Sequence, residues 1–260
     1  MMRPYKTAVV TGASSGIGAA IARKLAENGT MVYAFARSSD KLKAVQKSIA
    51  KGSQKNFMPI ICDVSKRDDV RSALQTAYAK GYVDLVVCNA GIGYSKKLEQ
   101  QSWQEIDSVI DTNLRGTLHL IKNCLELRSN HSVQFVCTTS LAGKIGFPKL
   151  SVYSATKFAI EGLVEALRNE YDQKDVSFTI LRPGITATAF FSAAGMQDFE
   201  NSVKGLKSYY SPDTVADVFL KNLSSGNGTI VVGNDKYFLA LLPFIPFNMR
   251  FKVLDMVNKI

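Results

Sequence analysis

Short apolar, β-branched runs alternate along the chain with longer stretches whose apolar positions recur every three to four residues. The runs at 7–11, 31–35, 57–62, 83–89, 133–138, 177–181 and 229–232 predict strands. The stretches at 17–28, 40–50, 68–80, 103–127 and 152–173 predict helices, with Gly29, Gly52 and Gly81 standing just past the first three. Gly29 has the position of a C′ residue, where a left-handed backbone closes a helix. Strands that are apolar along nearly their whole length, joined by helices, make a parallel sheet covered on both faces. The expected fold class is therefore α/β: one doubly wound parallel sheet of about seven strands, with helices on both faces. Residues 1–260 form a single unit on this reading, decorated by a segment at about 189–212 and an apolar tail at about 237–260. No linker or solenoid repeat interrupts it.

Composition narrows the function classes. With 260 residues, 46% hydrophobic and 21% charged, the chain is neither disordered nor fibrous and is long enough for a sizeable core. No apolar run reaches the roughly 20 residues that a membrane-spanning helix needs. Cys62, Cys88, Cys124 and Cys137 are widely spaced without a CxxC pair, which argues against a zinc site or disulfide scaffold. No metal is expected, and a reducing, cytoplasmic setting follows. Residues 1–6 lead straight into a strand-like run, so no secretory or transit segment is expected there. Lysine plus arginine exceed aspartate plus glutamate by 32 − 22 = 10, a balance that favours anionic partners. The basic residues are spread over the whole chain without a nucleic-acid signature, so a solvated basic surface is the plainer reading and nucleic acid is not expected as a partner.

Thr11-Gly12-Ala13-Ser14-Ser15-Gly16-Ile17-Gly18 follows the first strand and opens the first helix. Glycines there allow a sharp turn and close approach to a pyrophosphate, and the helix N-terminus offers unpaired N–H groups. Gly12, Ser14, Ser15, Gly16, Ile17 and Gly18 are the candidate cradle, although the spacing departs from the common G-x-G-x-x-G. Where the second strand ends, an acid would bind the 2′-hydroxyl of NAD and an arginine the 2′-phosphate of NADP. The sequence there is Phe35-Ala36-Arg37-Ser38-Ser39, with no acid, so Arg37 favours NADP(H) over NAD(H). The competing reading makes Arg37 an ordinary surface residue, with Ser38, Ser39 and Asp40 capping the next helix.

Tyr153 and Lys157 lie four apart on a predicted helix, hence on one face. A neighbouring ammonium favours a phenolate, so the pair reads as a tyrosine whose pKa is lowered for proton transfer. With these residues the chain resembles the short-chain dehydrogenase/reductase family, in its branch of about 250 residues. The likeness spans residues 6 to about 190 and the remainder more loosely. Asp63-Val64 matches that family's adenine contact. Cys88-Asn89-Ala90-Gly91 matches its N-N-A-G motif with cysteine in the first place. Asn113 stands where the family has an active-site asparagine, and Ser140, Tyr153 and Lys157 match its Ser–Tyr–Lys set. Pro183-Gly184-Ile185-Thr186-Ala187-Thr188 resembles its P-G-x-V-x-T with threonine for valine.

The resemblance implies a Rossmann-type dinucleotide-binding fold and an oxidoreductase acting on C=O and CH–OH groups. Tyr153 then exchanges the proton of the substrate oxygen, Ser140 hydrogen-bonds that oxygen, and Lys157 lowers the Tyr153 pKa and holds the nicotinamide ribose. Asn113 anchors a water leading from Lys157 to solvent. Asn89, Ala90, Gly91, Pro183, Gly184, Ile185 and Thr188 join the cofactor contacts. The resemblance also implies a homodimer or homotetramer, and a mobile lid over the substrate after Thr188. Taken singly, Ser140 could be a plain strand-end serine and Asn113 a structural side chain filling backbone hydrogen bonds. His119 and His131 read as structural or exposed.

Phe190, Phe191, Met196, Phe199, Tyr209 and Tyr210, with Leu141, Ile145 and Phe147, would line an apolar pocket suited to a hydrophobic ketone or alcohol. Part of that set is expected to pack into the core instead. The tail, rich in Phe, Leu and Pro, has two readings. It packs on protein, or it lies in a membrane interface with Arg250, Lys252 and Lys259 on lipid phosphates, making the protein membrane-peripheral. The competing function is a non-catalytic dinucleotide-binding sensor or scaffold on the same fold, which has no need of an intact Ser–Tyr–Lys set.

Overall fold

The computed structural model describes residues 5–206, 208–223, 226–233, 244–250 and 252. Seven strands, β1 (Thr7–Thr11), β2 (Met31–Ala36), β3 (Phe57–Ile61), β4 (Leu85–Cys88), β5 (Val133–Thr138), β6 (Val176–Pro183) and β7 (Gly228–Val232), form one sheet in the order β3-β2-β1-β4-β5-β6-β7. Every pairing is parallel. Chain order reverses at β1, which lies between β2 and β4 and leaves a crevice beyond its C-terminal end.

Strand periodicity divides the core in two. Ala8 and Val10 of β1, Val87 and Leu181 pack with α1 (Gly16–Glu27), α2 (Ser39–Ser48) and α9 (Pro212–Asn222), through Ile21, Leu25, Leu42, Val215 and Phe219. Val9, Val86, Phe135 and Phe178 face the other way, onto α3 (Arg67–Tyr78), α5 (Gly116–Leu127) and α6 (Ser151–Glu170). The predicted doubly wound sheet is what forms. Gly29 has a φ of 89°, as its place after α1 required.

The departures from expectation are local. The run at 83–89 pairs only over Leu85–Cys88. Helices α2, α3 and α6 stop two or three residues short of the predicted 50, 80 and 173. The single helix expected at 103–127 is α4 (Trp103–Ile110), a π-turn at Asp111–Arg115, and then α5. Within the decorating segment, α7 (Ala189–Ala193) and α8 (Gln197–Val203) are helical. The unpredicted α9 begins with Ser211 accepting from Thr214 N and with Pro212 at N1, and buries Val215, Ala216, Phe219 and Leu220. Among the described residues no helix is long and apolar enough to cross a membrane. The proposed tail lies mostly outside the described residues. Within it, Phe244, Phe247 and Met249 are exposed, and Phe247 meets Phe158 of α6 edge-on at 6.5 Å.

Phe178 is fully buried, stacked on Phe135 at 5.2 Å and flanked by Tyr171 at 6.1 Å. Removing such a ring loses both transfer free energy and packing, so Phe178→Ala is expected to cost about 3–5 kcal/mol, read from urea unfolding midpoints.

Candidate active site

Because all strands run one way, the loops after them gather on one edge. Ala13 N donates to Phe35 O at 3.2 Å, drawing the glycine-rich turn after β1 against the end of β2. Gly12 and Gly16 have positive φ, 64° and 55°. Gly18 cannot carry a side chain: a Cβ there would lie 2.4 Å from both Gly12 O and Asn89 Nδ2. Asn89 braces the neighbouring strands, its Nδ2 donating to Thr11 O at 3.1 Å and its Oδ1 accepting from Thr138 Oγ1 at 3.4 Å. Thr11 Oγ1 accepts from the N–H groups of Asn89 and Ala90 at 3.0 and 3.1 Å. Ser15 is the N-cap of α1 but its side chain makes no cap bond. Thr188 stands over this turn, so that a Cβ on Gly16 would come within 3.0 Å of its methyl.

Further along the edge, Arg37 is exposed just past β2, while Ser38 caps α2 by accepting from Lys41 N at 3.4 Å. Asp63 Oδ1 accepts from Ser65 N and Oγ, turning the chain after β3, and Val64 O is held by His119 Nδ1 at 2.9 Å. His119 is thus structural, as expected. After β6, Gly184 N donates to Val232 O and Tyr210 N to Ile185 O, both at 2.8 Å, fixing the Pro183–Thr188 turn. This donor-rich, glycine-lined edge fits a dinucleotide: a helix N-terminus for the pyrophosphate, Arg37 and Asp63-Val64 at the adenosine end, and Asn89–Gly91, Pro183–Ile185 and Thr188 toward the nicotinamide end.

The reactive groups meet where β5 and α6 converge. Ser140 stands beside the half-buried Tyr153 phenol and acts to lower its pKa, and Ser140 Oγ accepts from Ala142 N at 3.2 Å. Lys157 is 3% exposed, donates from Nζ to Thr138 O at 2.9 Å, and stands 5.6 Å from the Tyr153 ring centre. Burial pushes the Tyr153 phenol up to about 12, and the Ser140 hydrogen bond draws it only partway back. Burial pushes the Lys157 ammonium down to about 8. The expectation that Lys157 lowers the Tyr153 pKa is therefore corrected. Desolvation sets the direction of the shift, and the ammonium hydrogen-bonds a backbone carbonyl rather than the phenol.

Asn113 sits in the π-turn, fully buried, its Oδ1 accepting from Ile92 N at 2.8 Å and its Nδ2 donating to Ile92 O and Thr156 Oγ1. Its carbonyl accepts from Thr117 Oγ1 at 2.7 Å. These bonds tie the loop after β4 to α6, so the side chain braces the site. The wide π-turn brings this brace inward. Phe190 of α7 lies on the Tyr153 ring, centres 5.2 Å apart, followed by Phe191 at 6.0 Å and Phe199 at 5.7 Å in turn. Ser95 N donates to Ala194 O at 2.8 Å, fastening α7 to the loop after β4. Other members of the expected aromatic wall point elsewhere. Tyr209 donates to Glu200, Tyr210 packs beneath Gly184 and Gly233, and Ile145 is buried. Phe147 lines a separate apolar pocket of about 570 Å³ with Phe158 and Phe247.

The family model for short chain dehydrogenase matches residues 6–198. The chain belongs to that family. An uncharacterized oxidoreductase of Staphylococcus saprophyticus is 33% identical over 216 residues, covering 81% of this chain and 87% of the relative. A 3-ketodihydrosphingosine reductase of Bos taurus is 31% identical over 253 residues, 92% of this chain and 74% of the relative. An alcohol dehydrogenase of Thermococcus sibiricus, solved with 5-hydroxy-NADP, superposes with a TM-score of 0.77 at 32% identity, covering 88% and 96% of the two chains. This short-chain dehydrogenase is an oxidoreductase acting on carbonyl and hydroxyl groups.

Two members of the constellation were not singled out from the sequence. Arg182 and Glu161, both 6% exposed, form a buried ion pair directly behind the dehydrogenase's serine and lysine. Only the single-turn spacing Lys157–Glu161 on α6 hints at it.

The Lys157 shift has a consequence for stability. Its folded value of about 8 lies below the ordinary 10.5, so between those pH values the unfolded chain binds more protons. Stability from this group is therefore full above 10.5 and falls as pH drops toward 8. Across that window wild type is expected to gain about 3 kcal/mol relative to Lys157→Met, measured by urea unfolding at a series of pH values.

Proposed function

We propose that the chain is an NADP(H)-dependent carbonyl reductase, reversible as an alcohol dehydrogenase, whose substrate is a hydrophobic ketone or alcohol. The observation that carries this reading is the placement of the Tyr153 ring, beside Ser140, 5.6 Å from Lys157 Nζ and covered by Phe190. The phenol carries its proton at neutral pH, as an ordinary phenol also does, and so has one to give to a ketone oxygen. Ser140 is placed to hydrogen-bond the same oxygen as charge develops on it. Lys157 holds the ribose and contributes a group able to exchange protons near pH 8. Reduced nicotinamide, when bound, supplies the hydride.

The NADP preference rests on Arg37, exposed at the end of β2 where no acid stands. Its planar guanidinium suits a 2′-phosphate. The hydrophobic substrate rests on the ring series from Phe190 to Phe199, and the similarity to 3-ketodihydrosphingosine reductases supports a long-chain ketone among the candidates.

Titration with NADPH and NADH, followed by nicotinamide fluorescence, tests the cofactor. NADPH is expected to bind more tightly, and Arg37→Ala to remove about 1.5–3 kcal/mol of that preference. Equal binding of NADH would make Arg37 an ordinary surface residue. A screen of apolar ketones with NADPH follows, with Tyr153→Phe expected to lower turnover by at least about a hundredfold. Binding of neither dinucleotide would leave the scaffold reading in its place.

A further inference from the structure

We propose that Glu161 is a positioning residue for carbonyl reduction, clamping the Ser140 turn onto the helix that carries Tyr153 and Lys157. The proposal rests on the reading of Ser140 and Tyr153 given above. Glu161 lies one turn beyond Lys157 on α6 and is 6% exposed. Three side chains from two other segments converge on its carboxylate. Thr139 Oγ1, adjacent to Ser140, donates to Oε1 at 2.9 Å. Arg182 Nη2, adjacent to the Pro183-Gly184 turn, donates to Oε1 and Oε2 at 2.7 and 2.8 Å, and Arg182 Nε to Oε1 at 3.2 Å. Lys144, at the end of the short helical turn after Ser140, lies 3.2 Å from Oε2.

The turn itself is shaped to this contact. A Cβ on Gly143 would lie 3.1 Å from Lys157 O and 3.2 Å from Glu161 Cγ, so the chain after Ser140 rests directly on α6 at these two residues. Thr139 N donates to Leu181 O at 2.8 Å, so the residue before Ser140 is held on both sides, by β6 and by Glu161. One acid therefore joins α6, the Ser140 turn and the end of β6.

A buried ion pair on its own is weak ground for stability, because desolvation offsets the attraction. Here the carboxylate also holds Thr139 and Lys144, on either side of the Ser140 hydroxyl that must be aligned beside Tyr153. Misplacement of a reacting group by about 1 Å costs on the order of a hundredfold in rate. Thr139→Val keeps the shape and removes only the hydroxyl–carboxylate bond. Glu161→Gln removes the charge. Glu161→Gln with Arg182→Met removes the pair together and serves where the single change leaves an uncompensated arginine.

The test is a double-mutant cycle on kcat for NADPH-dependent reduction of phenanthrenequinone, with Ser140→Ala as the second site. Thr139→Val and Glu161→Gln are expected to lower kcat about ten- to hundredfold with NADPH affinity retained, and to add nothing once Ser140 is alanine. A purely structural role would lower the melting temperature, leave kcat of the folded protein unchanged and give additive effects; that result overturns the proposal. Ring-carbon NMR of labelled tyrosine reports on the same coupling without turnover. The Tyr153 resonance, identified by its loss in Tyr153→Phe, is expected to move in Glu161→Gln in the direction it moves in Ser140→Ala. An unmoved resonance counts against Glu161 even where wild type reduces no ketone, an outcome that would instead remove the reductase reading.

Discussion

The uniform direction of the seven strands is the constraint on which the site depends. In a parallel sheet each strand must be followed by a crossover, and every C-terminal end opens on the same edge. The glycine-rich turn, Arg37, Asp63, Asn89, Ser140 and Pro183 come from six different strands, yet each follows or ends its strand and so reaches one crevice. Thr11 and Asn89 stitch β1 to β4 at the point where chain order reverses, and the Thr138 hydroxyl extends the stitching to β5. What lies between these loops is a row of donors, set by backbone geometry before any ligand arrives.

Burial then decides what the side chains at that edge do. Water would leave the phenol and the ammonium near their ordinary values, about 10 and 10.4. Inside the site they move in opposite directions, Tyr153 up and Lys157 down, because desolvation favours the neutral form of each. A neutral, protonated phenol is a donor, and reduction of a carbonyl is the direction that consumes a donated proton. The reverse reaction needs that phenol to give up its proton to something else first.

Much of this was legible in the sequence because the relevant signals are local. The strands at 7–11 and 133–138 have the predicted bounds, since apolar runs between glycine and polar turns admit few other readings. The glycine-rich turn and the Tyr153–Lys157 spacing declare themselves within eight and five residues. Less was legible where one residue's role depends on distant parts of the chain. The helical period of 103–127 is continuous, and nothing in it marks the π-turn that Asn113, buried against Ile92 and Thr156, occupies. Tyr209 and Tyr210 read as pocket aromatics by neighbourhood, but a carboxylate and two glycines claim them. The Tyr153 shift had the wrong sign because the charge of Lys157 is visible in sequence and its burial is not.

Glu161 shows the same asymmetry most sharply. On a helix written out alone, an acid four residues past a lysine is an ordinary surface pair. In the folded protein the lysine turns away to Thr138 O, and the acid instead meets Arg182, 21 residues on, and Thr139, 22 residues back. Both partners are adjacent to turns of the candidate site, one before Ser140 and one before Pro183-Gly184. A carboxylate can serve both only because β5 and β6 are neighbours in the sheet, the last residue of β5, Thr138, lying opposite Leu181, one residue before Arg182. Strand register, rather than helix chemistry, is what places a charge behind the serine and joins the Ser140 turn to the Pro183-Gly184 turn.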